Sequence, residues 1–155
     1  MYLDRAIQDH FSYPACFADI LQITANCQIT ELEKRCLNSA LILLAESLKA
    51  DAVIIDDQVS IIFTDSSDLV LRNDDSPSNI AWYHQFICFY VHRWRERQFD
   101  AVQIVVTMLE ELTHCFYRIA DERLVKEKVT EVVRTRFPDA TLQTLYDFLH
   151  PDNSV

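Results

Sequence analysis

The sequence predicts an α+β protein with a small mixed or antiparallel sheet packed by helices. A chain of 155 residues is long enough for one hydrophobic core and short for two. Apolar residues recur at helical spacing in both halves of the chain, and β-branched runs interrupt them near the middle. We therefore expect a single domain over residues 1–150, followed by a loose C-terminal tail at residues 151–155.

The first third of the chain is predicted to be helical. Residues 3–11 fit a short helix, and a second helix over residues 14–25 would begin with a proline, which suits a first helical turn. Thr30 and Glu33 have the spacing of a capping box, in which each side chain bonds the backbone of the other residue. Leucines then follow at helical intervals, which predicts a helix over residues 31–49.

The middle of the chain is predicted to form strands. Residues 52–55 and 59–63 are β-branched runs separated by a short polar turn, which is typical of a hairpin. Residues 68–72 fit a third strand, and residues 73–79 fit a polar loop.

The pattern over residues 80–97 fits both a strand and a helix. Aromatic and β-branched side chains favour a strand, and we predict one over residues 85–92. The apolar periodicity of the rest of the chain predicts three helices, over residues 100–117, 122–136 and 140–149.

The charge balance limits the partners. Fourteen lysine and arginine residues against 24 aspartate and glutamate residues give a net charge of -10. Such a surface repels phosphate groups, so we expect a protein or peptide partner and neither nucleic acid nor a membrane. No apolar run approaches the ~20 residues of a membrane span, and the N-terminus lacks the basic and apolar regions of a signal peptide. These features predict a cytoplasmic protein.

Two residue types narrow the classes of site. The chain has no glycine, which argues against a P-loop, a dinucleotide-binding turn, an EF-hand loop and a GxSxG nucleophile elbow. The five cysteines form no CxxC pair, so we expect reduced thiols that pack as small hydrophobic side chains.

A polar stripe on the first of the three C-terminal helices carries the candidate chemistry. Glu110 and His114 lie one turn apart, and Glu111 is also a helical neighbour of His114. Because the rest of this helix is largely apolar, we expect it to be mostly buried and its charges to need partners. Asp121 and Glu122, at the start of the next helix, are predicted to supply them. An imidazole with two or three carboxylates suits zinc, iron or manganese.

The five residues from Glu110 to His114, EELTH, resemble the HExxH helix of zincin metallopeptidases, with glutamate in place of the first histidine. In that family the two histidines bind zinc, the glutamate is the general base, and a downstream residue completes the metal shell. The resemblance implies that Glu110 and His114 are metal ligands, that Glu111 is the catalytic base, and that Asp121 or Glu122 is a further ligand. It also implies a minimal zincin fold with a divalent metal as cofactor, zinc by preference and iron or manganese as alternatives.

Each of these residues also has a simpler interpretation. Glu110, Glu111 and His114 fit a solvated stripe with a helical Glu–His pair. Asp121 and Glu122 fit the acidic residues that the helix dipole favours at a helix start. Our leading hypothesis is a zincin-like metal-binding domain, a metallopeptidase with weak or lost activity. The alternative is an acidic protein-interaction module without chemistry, such as an inhibitor or a regulator.

Two other groups of residues have candidate roles. His84 and His92 could be further metal ligands, and each also fits an ordinary packed or surface histidine. Residues 93–97 place three arginines around Trp94, which could bind an anionic partner or form the solvated end of a strand or helix.

Overall fold

The computed structural model describes residues 5–7, 10–66 and 85–147. Within these residues the chain forms four strands and five α-helices. The strands are β1 (Arg5–Ala6), β2 (Leu21–Ala25), β3 (Val59–Thr64) and β4 (Gln85–Tyr90). The helices are α1 (Glu31–Ala50), α2 (Val91–Glu96), α3 (Ala101–Phe116), α4 (Glu122–Arg134) and α5 (Leu142–Tyr146).

The four strands form one mixed sheet in the order β1-β2-β3-β4. β1 pairs antiparallel with β2, whereas β2, β3 and β4 run parallel to one another. Ile23, Ile61 and Ile87 stand in register across the three parallel strands. The chain passes from β2 to β3 through α1, the kind of crossover that parallel neighbours require. The predicted α+β class, a small sheet packed by helices, is confirmed.

One hydrophobic core joins the sheet to the helices. The leucine stripe of α1 is buried as predicted, at Leu37, Leu41, Leu44 and Leu48. α3 packs mainly against α1, and its Met108, Leu109 and Leu112 are inaccessible to solvent. Since each fully buried side chain of this size stabilises the fold by about 1.5–3 kcal/mol, this packing fixes the rotation of α3 and therefore the direction of its polar stripe.

The helix predicted over residues 14–25 is wrong. Ala15–Phe17 forms a single 3₁₀ turn, and β2 follows. Alternate residues of β2 are buried, so the true period of this segment is two and not 3.6. The helix predicted over residues 3–11 is also wrong where the structure describes it, because Arg5–Ala6 pairs with β2. Residues 3, 4, 8 and 9 lie outside the described residues.

The predicted hairpin is wrong in its first arm. Residues 52–55 contain no strand, and Ile54 is 82% exposed. The second arm, residues 59–63, belongs to β3, which lies between β2 and β4 and is buried at every position. The apolar residues before β3 are thus the connection from α1. The third strand predicted over residues 68–72 and the loop predicted over residues 73–79 lie outside the described residues.

β4 covers most of the strand predicted over residues 85–92. It ends at Tyr90, and α2 begins at once. Both sequence patterns were present in succession: Ile87 and Phe89 are buried at strand spacing, and Val91 and Trp94 are buried at helical spacing.

The C-terminal helices agree with the prediction. α3 and α4 match the helices predicted over residues 100–117 and 122–136 to within two residues at each end. α5 lies within the helix predicted over residues 140–149. The end of that helix and the predicted tail at residues 151–155 lie outside the described residues.

Candidate functional site

α3 begins at a capping box. Asp100 accepts a hydrogen bond from the backbone N–H of Gln103 at 2.9 Å, and the Gln103 side chain accepts one from the backbone N–H of Asp100 at 2.9 Å. This reciprocal pair satisfies two N–H groups at the start of the helix. With its apolar side against α1 and with α4 packed against it, α3 directs its polar residues toward α4, α5 and β4.

The His114 ring is held in one orientation. Its Nδ1 lies 2.6 Å from the backbone oxygen of Ile119, and its Nε2 lies 3.4 Å from Oε1 of Glu122. Because a carbonyl oxygen can only accept, Nδ1 carries a proton and donates it. Nε2 is thereby presented to Glu122, at a distance longer than the about 2.7–3.2 Å of an ordinary hydrogen bond. The His114 side chain is 24% exposed and that of Glu122 is 75% exposed.

Glu110 is half-buried and lacks a full set of partners. Its Oε1 atom is inaccessible and makes no hydrogen bond, and the buried hydroxyl of Tyr146 on α5 likewise makes none. Burial raises the pKa of the Glu110 carboxyl, while Lys126 and the nearby Tyr146 act to lower it. Lys126 lies 5.3 Å from the centre of the Tyr146 ring. A carboxylate, a phenol and an ammonium group thus meet where α3, α4 and α5 come together.

Glu111 projects from the neighbouring side of α3. It is an exposed residue, yet partial burial of its carboxyl raises the pKa of that group, and His114 acts to lower it. The carboxylate of Glu111 also affects Cys88 on β4. Burial raises the pKa of the Cys88 thiol, and the negative charge of Glu111 raises it further. Cys88 is therefore a neutral thiol near neutral pH.

Asp121 and Glu122 divide into two roles. Asp121 is the N-cap of α4, and its Oδ1 accepts a hydrogen bond from the backbone N–H of Leu124 at 2.9 Å. Glu122 in the first turn of α4 reaches back to His114. Of the two carboxylates predicted to meet the α3 stripe, the structure therefore brings Glu122 to it and uses Asp121 to start the helix.

The residues fit a metal only in part. Within residues 5–7, 10–66 and 85–147, no group of three or more His, Cys, Asp and Glu side chains is arranged to hold a metal ion. Glu110 faces Tyr146 and Asp121 caps α4, so the predicted ligands do not all converge on one point. Of the four predicted metal ligands, His114 and Glu122 are the two that the structure brings into contact.

A cleft of about 210 Å³ lies beside the stripe. Its lining comes from the end of β4, from α2 and the turn after it, and from α3, and includes Cys88, Tyr90, Arg93, Trp94, Arg97, Phe99, Thr107, Glu110 and Glu111. It opens where the carboxyl end of a parallel strand meets the next helix, a common place for ligands in such sheets. The EELTH pattern singled out Glu110 and Glu111 as residues of a metal site, and it gave no indication of this cleft or of its other residues.

The second wall comes from the basic cluster at residues 93–97. Arg95 is used internally, because its guanidinium bonds both oxygens of the buried Glu33. Arg93 lies 4.9 Å from the centre of the Tyr90 ring, and Arg93 and Arg97 both line the cleft. The sequence showed a cluster of three arginines around Trp94, but it did not show that Arg93 and Arg97 lie across a cleft from Glu110 and Glu111.

Two of the other histidines, His10 and His92, belong to the described residues. His92 is half-buried on α2, with its Nδ1 atom enclosed and without a hydrogen bond. His84 lies outside the described residues. The five cysteines are free thiols.

Comparison with known proteins assigns no family, since no protein-family model, no curated protein and no solved structure matches this chain. None of the helices in the described part of the chain combines the length and the apolar character needed to cross a membrane.

Proposed function

We propose that the protein is a small zincin-like domain that binds a divalent metal ion through His114 and Glu122. The observation that carries this proposal is the fixed His114 ring, whose Nδ1–H donates to the backbone oxygen of Ile119 while Nε2 points to Glu122. Metal-binding histidines generally donate their second N–H to a carbonyl or carboxylate in this way. The His114 ring is thus pre-oriented for a metal at Nε2.

The separation of the two donors supports the same proposal. Two ligand atoms at about 2.0–2.1 Å from a tetrahedral zinc ion lie about 3.4 Å apart. The distance from His114 Nε2 to Glu122 Oε1 is 3.4 Å, which matches this separation. Glu110 and Glu111 add negative charge nearby, which favours a cation.

Two protein donors leave the remaining coordination positions to water. Such a site binds more weakly than a structural zinc site with four protein ligands, and its metal exchanges readily. A bound divalent ion would acidify a coordinated water. Glu111, three residues before His114 on α3, is the neighbouring carboxylate that could take up the proton.

A metal titration tests the proposal. We expect wild-type protein to bind one equivalent of Zn²⁺ in a calorimetric titration, and Mn²⁺ more weakly. His114→Ala should abolish binding and Glu122→Gln should weaken it at least about tenfold. His10→Ala removes an exposed histidine that forms no hydrogen bond or ion pair with His114 or Glu122 in the described part of the chain, and is the matched control. Equal affinity in His114→Ala and wild type, or no binding by wild type, would overturn the proposal.

Peptidase activity is tested separately. With Zn²⁺ present, wild-type protein is incubated with a mixture of peptides, and cleavage is followed by mass spectrometry. We expect Glu111→Gln to lose all cleavage and to keep the metal affinity of wild type. Cleavage at an unchanged rate in Glu111→Gln would end the assignment of Glu111 as the base.

A second function is favoured by a different observation. A largely apolar groove of about 420 Å³ runs along α1, lined by residues that include Ile42, Val53 and Ile55, and the chain carries a net charge of -10. These features suit an acidic interaction module that binds a basic, partly apolar protein. Metal-free protein whose melting is unchanged by a chelator would favour this function over the first.

A further inference from the structure

The cleft between α2 and α3 carries opposite charges on its two walls. Arg93 and Arg97 line one side, and Glu110 and Glu111 line the other. In the described part of the chain, none of these four side chains belongs to an ion pair within 4.0 Å. Charges that could pair but are held apart across an open cleft leave both walls available to a ligand.

Aromatic side chains lie between the charged walls. Phe89, Tyr90, Trp94 and Phe99 all line the cleft, so an apolar stem has surface to pack on. The volume of about 210 Å³ is below the about 300 Å³ at which pockets for drug-sized ligands begin. The cleft therefore suits a ligand of metabolite size.

The floor of the cleft is rigid. Trp94 is buried, and its indole N–H donates to Glu33 at 2.8 Å. The next residue, Arg95, bonds the same carboxylate through two nitrogens. Since α2 is tied to α1 at this point, the backbone that carries Arg93 and Arg97 is fixed on either side of Trp94.

We propose that this cleft binds a small zwitterion with an anionic group at one end, a cationic group at the other and an apolar stem between them. The anionic group would contact Arg93 and Arg97, and the cationic group would contact Glu110 and Glu111.

Three probes of one length test the charge requirement. ε-Aminocaproate carries both charges on a straight stem, caproate carries the negative charge alone, and hexylamine carries the positive charge alone. We expect ε-aminocaproate to shift the backbone amide resonances of α2 and α3 in an NMR titration, and to bind at least about tenfold more tightly than either half. Equal binding of the three probes, or no binding of ε-aminocaproate, would overturn the proposal.

Charge-removing variants locate the site. Arg97→Gln and Glu111→Gln should each weaken ε-aminocaproate binding at least about tenfold. Arg35→Gln on α1 and Glu96→Gln on α2 remove exposed charges that do not line the cleft, and should leave binding unchanged. Unchanged binding in Arg97→Gln would place the ligand elsewhere and refute this site.

The inference is separable from the metal proposal. His114→Ala should abolish metal binding and leave ε-aminocaproate binding unchanged, because His114 does not line the cleft. Loss of both activities in a His114→Ala protein that melts like wild type would show that the two sites are one, which would overturn the cleft as a separate site.

Discussion

Glu33 ties the wall of the cleft to α1. The residue is 2% exposed, and its two carboxylate oxygens accept four hydrogen bonds. The donors are Thr30 N at 2.8 Å, Trp94 Nε1 at 2.8 Å, Arg95 Nε at 2.8 Å and Arg95 Nη2 at 2.7 Å. Glu33→Ala would leave the buried indole N–H of Trp94 without an acceptor, and would leave the Arg95 guanidinium with the backbone oxygen of Gln28 at 2.8 Å in place of a buried carboxylate.

Glu33→Ala should lower the free energy of unfolding, because it breaks a buried ion pair. Removing one partner of a buried ion pair costs about 3–5 kcal/mol. Arg95 is 38% exposed, so water can solvate part of the freed guanidinium, and we expect the lower end, about 3 kcal/mol. In a chain of this length that lowers Tm by roughly 6–12 °C. Urea unfolding at pH 7 measures the free energy directly.

A control variant at Glu31 and the dependence of stability on acidic pH both test the role of Glu33. Glu31→Ala removes an exposed carboxylate from the same helical turn and should change little. Burial raises the pKa of Glu33, but the hydrogen bonds from Arg95, Thr30 and Trp94 outweigh it and hold the pKa below its usual value of 4.5. Because the folded-state pKa of Glu33 is below its unfolded-state pKa, the ionised carboxylate stabilises the fold at any pH above the unfolded-state pKa. This stabilisation is lost as the pH falls through the folded-state pKa. A loss under about 1 kcal/mol at pH 7, or the same acid dependence in Glu33→Ala and wild type, would refute the reasoning.

Three further predictions, two of them with a control variant, can be checked by urea unfolding. Burial raises the folded-state pKa of Glu110 above its unfolded-state pKa, so this residue favours folding while it is protonated at low pH, and that stabilisation is lost as the pH rises through the folded-state pKa. Glu110→Gln should therefore stabilise the protein at pH 7. A lower free energy of unfolding for Glu110→Gln at pH 7 would contradict this. Leu41→Ala should cost about 2–5 kcal/mol because Leu41 is fully buried, whereas Val102→Ala, at a 59% exposed site, should stay within about 0.5 kcal/mol. Ala52→Gly should stabilise by up to about 1 kcal/mol because Ala52 has a positive φ of 53°, and Ala45→Gly, in the interior of α1, should destabilise.

The helices were predictable because their signals are local. The capping box of Thr30 and Glu33 marks the start of α1 in the sequence and in the structure alike. Asp121 marks the start of α4 in the same way. Such signals need only a few neighbouring residues, together with an apolar stripe that repeats for several turns.

The strands depended on partners that local patterns do not specify. Residues 52–55 and β3 look alike in composition, yet only β3 gains neighbours on both sides. β2 was misread because five residues of alternating burial follow a proline and a short turn. In each case the sheet decided the outcome through parallel pairing across a crossover, which lies outside any short window of sequence.

In the candidate site, too, the residues placed by local helical spacing were predictable and those placed by tertiary packing were not. Helical spacing placed Glu110, Glu111 and His114 on one stripe, and the contact of His114 with Glu122 followed from the succession of two helices. The facing arginines could not be placed, because that required knowing that β4 ends at Tyr90 and that α2 begins there. Tyr146 could not be placed either, because α5 reaches Glu110 only through tertiary packing.

The turn after α3 decides how His114 is presented. Arg118 adopts a φ of 55°, a left-handed conformation that glycine would accept and that costs another residue about 1–2 kcal/mol. An arginine at this position supplies what glycine cannot, because its guanidinium bonds Asp57 at 2.8 Å in the segment before β3. The turn then returns the Ile119 backbone oxygen to Nδ1 of His114. The orientation of the imidazole therefore depends on a strained turn anchored by a side chain, and the spacing of Glu110 and His114 on α3 could not have revealed it.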